Sequence, residues 1–301
     1  MRVSVIIPVF NGELYIEKAV SSVLSQSYHN CEIIIIDDAS TDKTRSVIKG
    51  RFGDLIGNKI KYHLNDMNRE RAYSRNRGAE MAEGKYLFFL DYDDEWEKDY
   101  VQSTIDIFEE NGCDIVYSLQ RTFIDELSNI KRVSSKGFPG DTGKNIFSSA
   151  VGYPTATAFR KSVFSGYIDK YIPREDWEIF IRSYIEGRKI CIADNNKVMV
   201  RAHGSRTSAK AFFWSSTLKV YNDYIDKVPE GYRGEITFHA GEVCFRFGDI
   251  FNGWKLIIKA LFLKPDIMMS VRKILSVIKR GFRIDKFFRF YGDRADLKQN
   301  I

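Results

Sequence analysis

Residues 86–96 read YLFFLDYDDEW, an apolar run that ends abruptly in three carboxylates, Asp91, Asp93 and Asp94. The apolar run at 87–90 is too short for a helix but suits a strand buried on both faces, and such strands belong to parallel sheets covered by helices. The acids then stand at the carboxyl edge of the sheet, where open parallel sheets bind their ligands. Carboxylates this close repel one another unless a positive charge lies among them, and oxygen donors suit hard divalent cations such as Mg2+ or Mn2+. A solvated acidic turn would give the same string, so the surrounding sequence has to decide.

Upstream, residues 2–9 (RVSVIIPV) read as a first strand, closed by Pro8 and the turn pair Asn11-Gly12. Leu14, Ile16, Ala19, Val20, Val23 and Leu24 then recur with helical spacing. A second buried strand at 32–36 also ends in acids, Asp37 and Asp38, with Ser40 or Thr41 placed to cap the next helix. This alternation of strand and helix predicts a parallel sheet with right-handed crossovers. A short strand at 60–64 leads to Arg69, Arg71, Arg75 and Arg77 and a helix with Gly84 as its C-cap. Arginines beside acidic strand ends make sense if a phosphorylated ligand lies between them.

Downstream, 100–111 reads as a helix, 114–120 as a strand, 121–145 as a strand pair or acceptor-side loop, and 153–164 as a strand running into a short helix. In PREDWEIFIRSYI (173–185), Glu175 and Asp176 stand where a helix begins, with Trp177, Phe180, Ile181 and Tyr184 as its apolar stripe. Acids there also favour the positive end of the helix dipole, so position alone does not assign them a role. A strand at 197–202 is followed by His203, a competent metal ligand if its loop folds over the site.

At 301 residues, 44% hydrophobic and 29% charged, the sequence fits an ordinary globular protein, either one large domain or a main domain with an appendage. We expect no secretion signal and no membrane-spanning helix, because the apolar runs stop well short of about 20 residues. Cys31, Cys113, Cys191 and Cys244 make no CxxC pair, so neither zinc nor a disulfide is expected and a reducing cytoplasm fits. Residues 251–294 carry 11 Lys and Arg against 3 Asp, whereas the whole chain has a net charge of only +6. These residues form amphipathic helices broken at Pro265 and Gly281, and two uses fit them. They can lie on an anionic membrane surface, through residues 251–301, or pack against the catalytic domain or a second copy of the chain. No nucleic-acid motif accompanies the basic tail, so a nucleic-acid partner is not expected.

The quoted stretches, SVIIPVFNGELYIEKAVSSVLSQSY, EIIIIDDASTDKT, RNRGAEMAEGKYLFFLDYDD, the EDW at 175–177 and RAHGSRTS, together resemble the family 2 glycosyltransferases over about residues 1–208. The resemblance implies an α/β GT-A fold, Rossmann-like, with a mostly parallel central sheet between helices and a C-terminal helical extension. It divides the chain into a catalytic domain at 1–208, with nucleotide-sugar binding at 1–120 and acceptor binding at 121–208, and a helical basic region at 209–301. It implies a metal-dependent, inverting transfer of a sugar from a nucleotide-sugar donor, UDP-linked by preference, to a hydroxyl of a saccharide or lipid-linked acceptor. Carried over by position, Pro8, Phe10, Asn11, Asp38, Arg71, Asp91 and Asp93 frame the nucleotide. Asp93 or Asp94 falls on the Mn2+ or Mg2+, His203 near the metal or diphosphate, Asp176 on the base, and Glu175 and Trp177 near donor sugar or acceptor. Phe10 stands where Tyr is common, and the residues before Arg75-Asn76 depart from the usual small-residue pattern. Neither a QxxRW element nor spanning helices are present, which implies one sugar per encounter, at the inner membrane face, for surface polysaccharide. Nucleotidyltransfer would call for a Gly-rich loop where PVFNGELY stands, and a dehydrogenase for GxGxxG. A non-catalytic nucleotide-sugar-binding protein of the same fold is the remaining rival.

Overall fold

The computed structural model describes residues 1–134, 140–195, 197–202, 211–269 and 271–282. Contacts divide the chain into two compact units, Met1–Thr142 with Ala150–Thr207, and Gly143–Ser149 with Ser208–Ile301.

In the first unit the elements run β1 (Val3–Val9), α1 (Ile16–Leu24), β2 (Cys31–Asp37), α2 (Thr44–Phe52), β3 (Ile60–Leu64), α3 (Glu70–Met81), β4 (Tyr86–Phe89) and β5 (Glu95–Trp96). They continue with α4 (Tyr100–Asn111), β6 (Ile115–Ser118), β7 (Arg121–Ile124), β8 (Ile130–Ser134), β9 (Thr157–Arg160), α6 (Glu175–Ile185), β10 (Ile190–Ala193) and β11 (Val198–Arg201); α5 (Thr142–Phe147), which comes between β8 and β9 in sequence, belongs from Gly143 onward to the second unit.

The main sheet has the order β10-β6-β9-β4-β1-β2-β3. Only β9 runs against its neighbours, as the antiparallel registers Leu87 with Phe159 and Val116 with Ala158 record. β1 is buried at every position because both faces are covered. Val5 and Ile7 join Ile16, Val20 and Val23 of α1 in the main core, whereas Ile6 meets α3 on the other face. There a Cβ on Gly78 would lie 2.4 Å from Ile6 Cγ2, so a glycine sets the approach of helix to sheet. The shared direction of β1, β2 and β4 sends Phe10, Asp38 and Asp91 out at one edge.

A second sheet, β5-β11-β7-β8, stands beside the acidic segment that follows β4. β5 and β10 are not legible in the periodicity, being two and four residues long, whereas β11 falls on the strand expected at 197–202. Residues 121–134 form the strand pair rather than the loop alternative.

Three sequence expectations are corrected. Gly84 is not a helix C-cap: α3 ends at Met81, and Gly84 instead lies against β1, where a Cβ would come within 2.6 Å of the Ser4 nitrogen. Ser40 and Thr41 do not cap α2, which starts at Thr44. They tie the ends of β1 and β2 together, Asn11 N donating to Ser40 Oγ at 3.0 Å and Thr41 N to Asn11 Oδ1 at 2.8 Å. Cys113 and Cys191 form a disulfide with Cα atoms 6.0 Å apart, because the parallel pairing of β6 with β10 brings together cysteines 78 residues apart in sequence.

The second unit contains α7 (Ala211–Tyr224), α8 (Glu230–Phe247), α9 (Ile250–Leu263) and α10 (Val271–Gly281). Phe238 and Phe245 of α8, Ile257 and Ala260 of α9, Ile267 and Val277 make its core. Buried Glu235 accepts from Lys264 at 3.2 Å and Lys273 at 2.7 Å. Among the described residues no helix is long and apolar enough to cross a membrane.

Candidate active site

The site grows from the segment after β4. Leu90 N still donates to Ile6 O at 3.0 Å, so the chain leaves the sheet only at Asp91. Asp94 N then donates to Asp91 O at 3.0 Å, closing a turn that brings the three acids together. Thr155, at the turn into β9, holds both ends of that turn. Its Oγ1 accepts from Asp91 N at 3.1 Å and donates to Asp94 Oδ2 at 2.8 Å. The other oxygen of Asp94 accepts from Arg201 N at 2.9 Å, and Arg201 Nε donates to Asp93 O at 2.9 Å. Asp94 is therefore enclosed, with burial first and the charges of Asp93 and Asp91 next pushing its pKa well above the usual carboxylate range. Asp91 and Asp93 remain half-buried at the edge. Tyr92 packs on the Asn11-Gly12 turn, where a Cβ on Gly12 would meet its ring at 2.6 Å.

The residues expected around a nucleotide are placed as follows. Pro8 is buried within β1, Phe10 is exposed beyond it, and Asn11 adopts a positive φ of 51°. Asp38 N donates to Val9 O at 2.8 Å, fixing the two strand ends side by side. The Asp38 carboxylate accepts from Asn65 Nδ2 at 2.7 Å and from Arg69 N at 3.0 and 3.1 Å, so it holds the start of α3.

Arg75, on α3, is one of four arginines in that stretch of sequence, and it is the residue that joins the two acidic motifs. Its side chain is 2% exposed, Nη2 donates to Asp91 Oδ1 at 2.7 Å and Nη1 to Glu175 Oε1 at 3.2 Å. Burial opposes its charge, but Asp91, Tyr167 and Glu175 outweigh burial and raise its pKa. Arg71, half-exposed, approaches the same Glu175 oxygen at 3.7 Å. Glu175 lies at the start of α6, buried, its pKa raised by burial and by Asp176 against the pull of Arg75 and Arg71.

Asp176 is half-buried, and its Oδ1 accepts from Trp177 N at 2.7 Å. Trp177 is fully buried under the Arg174 guanidinium, 4.3 Å from the ring centroid. Arg121 is buried with its guanidinium 3.5 Å from the Tyr153 ring centroid. Burial lowers its pKa, while Tyr153, Asp176 and Asp94 pull the other way, so the base candidate and the acidic turn act on one cation. His203 lies outside the described residues. Among the described residues no three His, Cys, Asp or Glu side chains form a ready cage for a metal. The donor chemistry nevertheless suits a hard divalent cation, since the oxygens are all carboxylate and their mutual repulsion is visible at Asp94.

Sequence spacing could not find Thr155 and Arg201, which reach the acidic turn from 61 and 107 residues away. The only trace of Arg201 was its place at the head of RAHGSRTS.

Residues 4–168 match the model of the family described as Glycosyl transferase family 2. TuaG of Bacillus subtilis (strain 168), a putative teichuronic acid biosynthesis glycosyltransferase, is 40% identical over 111 residues, 37% of this chain and 43% of TuaG. AmsB of Erwinia amylovora, an amylovoran biosynthesis glycosyltransferase, is 31% identical over 233 residues, 72% of this chain and 77% of AmsB. The matched stretch thus takes in less than half of TuaG and about three quarters of AmsB. In fold, the chain is similar to S. aureus TarS 1-349 in complex with UDP-GlcNAc, with a TM-score of 0.67 and 17% identity over 96% of this chain and 92% of that one. The mixed sheet covered by helices is the GT-A arrangement that the sequence implied. With the family model covering more than half of its length, the chain belongs to glycosyl transferase family 2.

Proposed function

We propose that this chain transfers a sugar, with inversion, from a nucleoside diphosphate sugar to a hydroxyl of a saccharide or lipid-linked glycan acceptor, one sugar per encounter. The observation that carries the reading is Arg75, which joins Asp91 of the acidic turn to Glu175 beside Asp176. One carboxylate of the acidic turn and the neighbour of the candidate base are thereby tied to one buried cation. Phe10, Asn11, Asp38 and Arg71 frame the base and diphosphate, and Asp91 faces the ribose. Asp93, backed by Asp94 and joined by His203, would hold a divalent cation, Mn2+ or Mg2+. When bound, that cation supplies positive charge opposite the departing diphosphate. Asp176 takes the proton of the acceptor hydroxyl as that oxygen attacks the anomeric carbon from the side opposite the diphosphate. Glu175 and Trp177 shape the space beside it.

TuaG and AmsB are named for teichuronic acid and amylovoran biosynthesis and TarS was solved with UDP-GlcNAc, which supports a UDP-sugar donor and a glycan acceptor. A thermal-shift screen of UDP, GDP and dTDP sugars, with and without Mn2+, tests the donor assignment. A rise in Tm specific to one nucleotide and larger with the metal is expected, because a ligand that binds only the folded state stabilises it by mass action. No rise with any of them would overturn the reading.

A further inference from the structure

Helices α9 and α10 bury one side of themselves and leave the other without the polar cover an ordinary surface helix has. Toward α8 they turn Gly253, Ile257 and Ala260, and Val277. At about 100° per residue, the opposite side of α9 carries Phe251, Lys255, Ile258 and Phe262, and that of α10 carries Leu275, Lys279 and Phe282. Their exposure is extreme for such residues: 80% for Phe251, 85% for Phe262 and 65% for Phe282, with Met269 in the connecting turn at 82%. An apolar side chain left in water forgoes the gain of burial, so several on one side call for an apolar environment outside the unit.

Charge selects which environment. Residues 251–282 hold seven Lys and Arg and a single acid, Asp266. Lys264 and Lys273 are spent inside the unit on Glu235, and Arg280 lies 3.9 Å from Glu242. Lys255 and Lys279 stand exposed among the bare apolar residues. Pairing this side with a second copy of itself would set lysine against lysine, because a two-fold interface uses the same patch twice. An anionic bilayer instead offers acyl chains to the phenylalanines and phosphates to the lysines.

We propose that the outer side of α9 and α10 docks onto an anionic lipid surface, with Phe251, Phe262 and Phe282 entering the headgroup boundary and Lys255 and Lys279 meeting the phosphates. Docking is read without any sugar nucleotide, so it stands or falls apart from the transfer reading.

The test is co-sedimentation of the full chain with phosphatidylcholine vesicles, with or without phosphatidylglycerol, alongside Phe262→Glu and a Lys255→Glu/Lys279→Glu variant. Each variant is first checked for an unchanged thermal transition; these positions are exposed, so folding should survive. The expected result is binding that requires phosphatidylglycerol, weakens with salt, and falls about tenfold or more in either variant. Equal binding to both vesicle types, or unchanged binding by the two variants, would overturn the proposal. So would a dimer in sedimentation velocity that Phe262→Glu dissociates while the wild type ignores vesicles, because the occupant would then be a second copy.

Discussion

Arg75 and Glu175, 100 residues apart in sequence, meet at 3.2 Å with both side chains almost wholly enclosed. Removing one partner of such a pair leaves an uncompensated buried charge, which typically costs about 3–5 kcal/mol. Arg75→Ala should therefore lower stability by about that amount and abolish transfer, because Asp91 and the start of α6 lose their common anchor. Arg75→Lys should recover part of the stability but little of the transfer, since an ammonium cannot reproduce the two-pronged grip on Asp91 and Glu175. Chemical denaturation and a radiolabelled-sugar assay separate the two effects. Full transfer by the lysine variant would show that one charge suffices.

Asp176→Asn keeps the shape of the side chain and removes its basicity. Transfer should fall by about a hundred- to ten-thousandfold, the usual contribution of a positioned general base. The Tm rise produced by donor should persist, because the role proposed for Asp176 is on the acceptor. Near wild-type turnover would remove Asp176 from the base role.

Metal dependence is expected to act through donor binding and turnover together. Treatment with EDTA should abolish transfer, readdition of Mn2+ or Mg2+ should restore it, and Asp93→Asn should raise the metal concentration needed for half-maximal rate. Transfer that survives the chelator at full rate would exclude the metal assignment of Asp93, Asp94 and His203.

Two glycines in helices should respond with opposite signs. Gly78→Ala pushes a methyl into Ile6, with a Cβ contact of 2.4 Å, and should cost about 1–3 kcal/mol as overpacking does. Gly50, in α2, has nothing within 4 Å of a built Cβ, so Gly50→Ala should gain about 0.5–1 kcal/mol from helix propensity. Urea denaturation of both variants reads the contrast.

Glu32 gives a pH signature far from the candidate site. Burial alone would raise its pKa, but hydrogen bonds from Ser4, Glu83 N and Lys61, with the charge of Lys61, outweigh burial and the net shift is downward. A carboxylate depressed in the folded state adds stability above its unfolded value, and that stability is lost as pH falls through the folded one. The Tm gap between wild type and Glu32→Gln should be widest near neutrality and shrink as the solution is acidified below the usual carboxylate range. A gap that stayed constant with pH would show that Glu32 acts by packing alone.

The elements that build the candidate site were largely visible in the sequence, because each is a local pattern. A buried strand ending in acids, the Asn11-Gly12 turn, and the carboxylates that open α6 all show themselves within a dozen residues. What stayed hidden depends on pairings between distant segments. Arg75 looked like any of four neighbouring arginines, and nothing local says that Glu175 will meet it. Thr155 carries no charge and sits in no motif, yet it clasps the acidic turn. Ser40 and Thr41 were legible as polar residues before a helix, but their partner Asn11 is 29 and 30 residues upstream of them. The Cys113–Cys191 bond follows from strand order, which spacing does not encode.

The reversed direction of β9 has an implication for how this scaffold can vary. Thr155 reaches the acidic turn from the entrance to that strand, and the strand is clamped on both sides by β4 and β6. One residue gained or lost inside β9 would exchange the faces of Ala158 and Phe159 and draw Thr155 off Asp94, whereas chain added ahead of Pro154 leaves that grip untouched. Length changes should therefore collect ahead of the reversed strand and spare the strand itself: a ruler fixed at one end, free at the other.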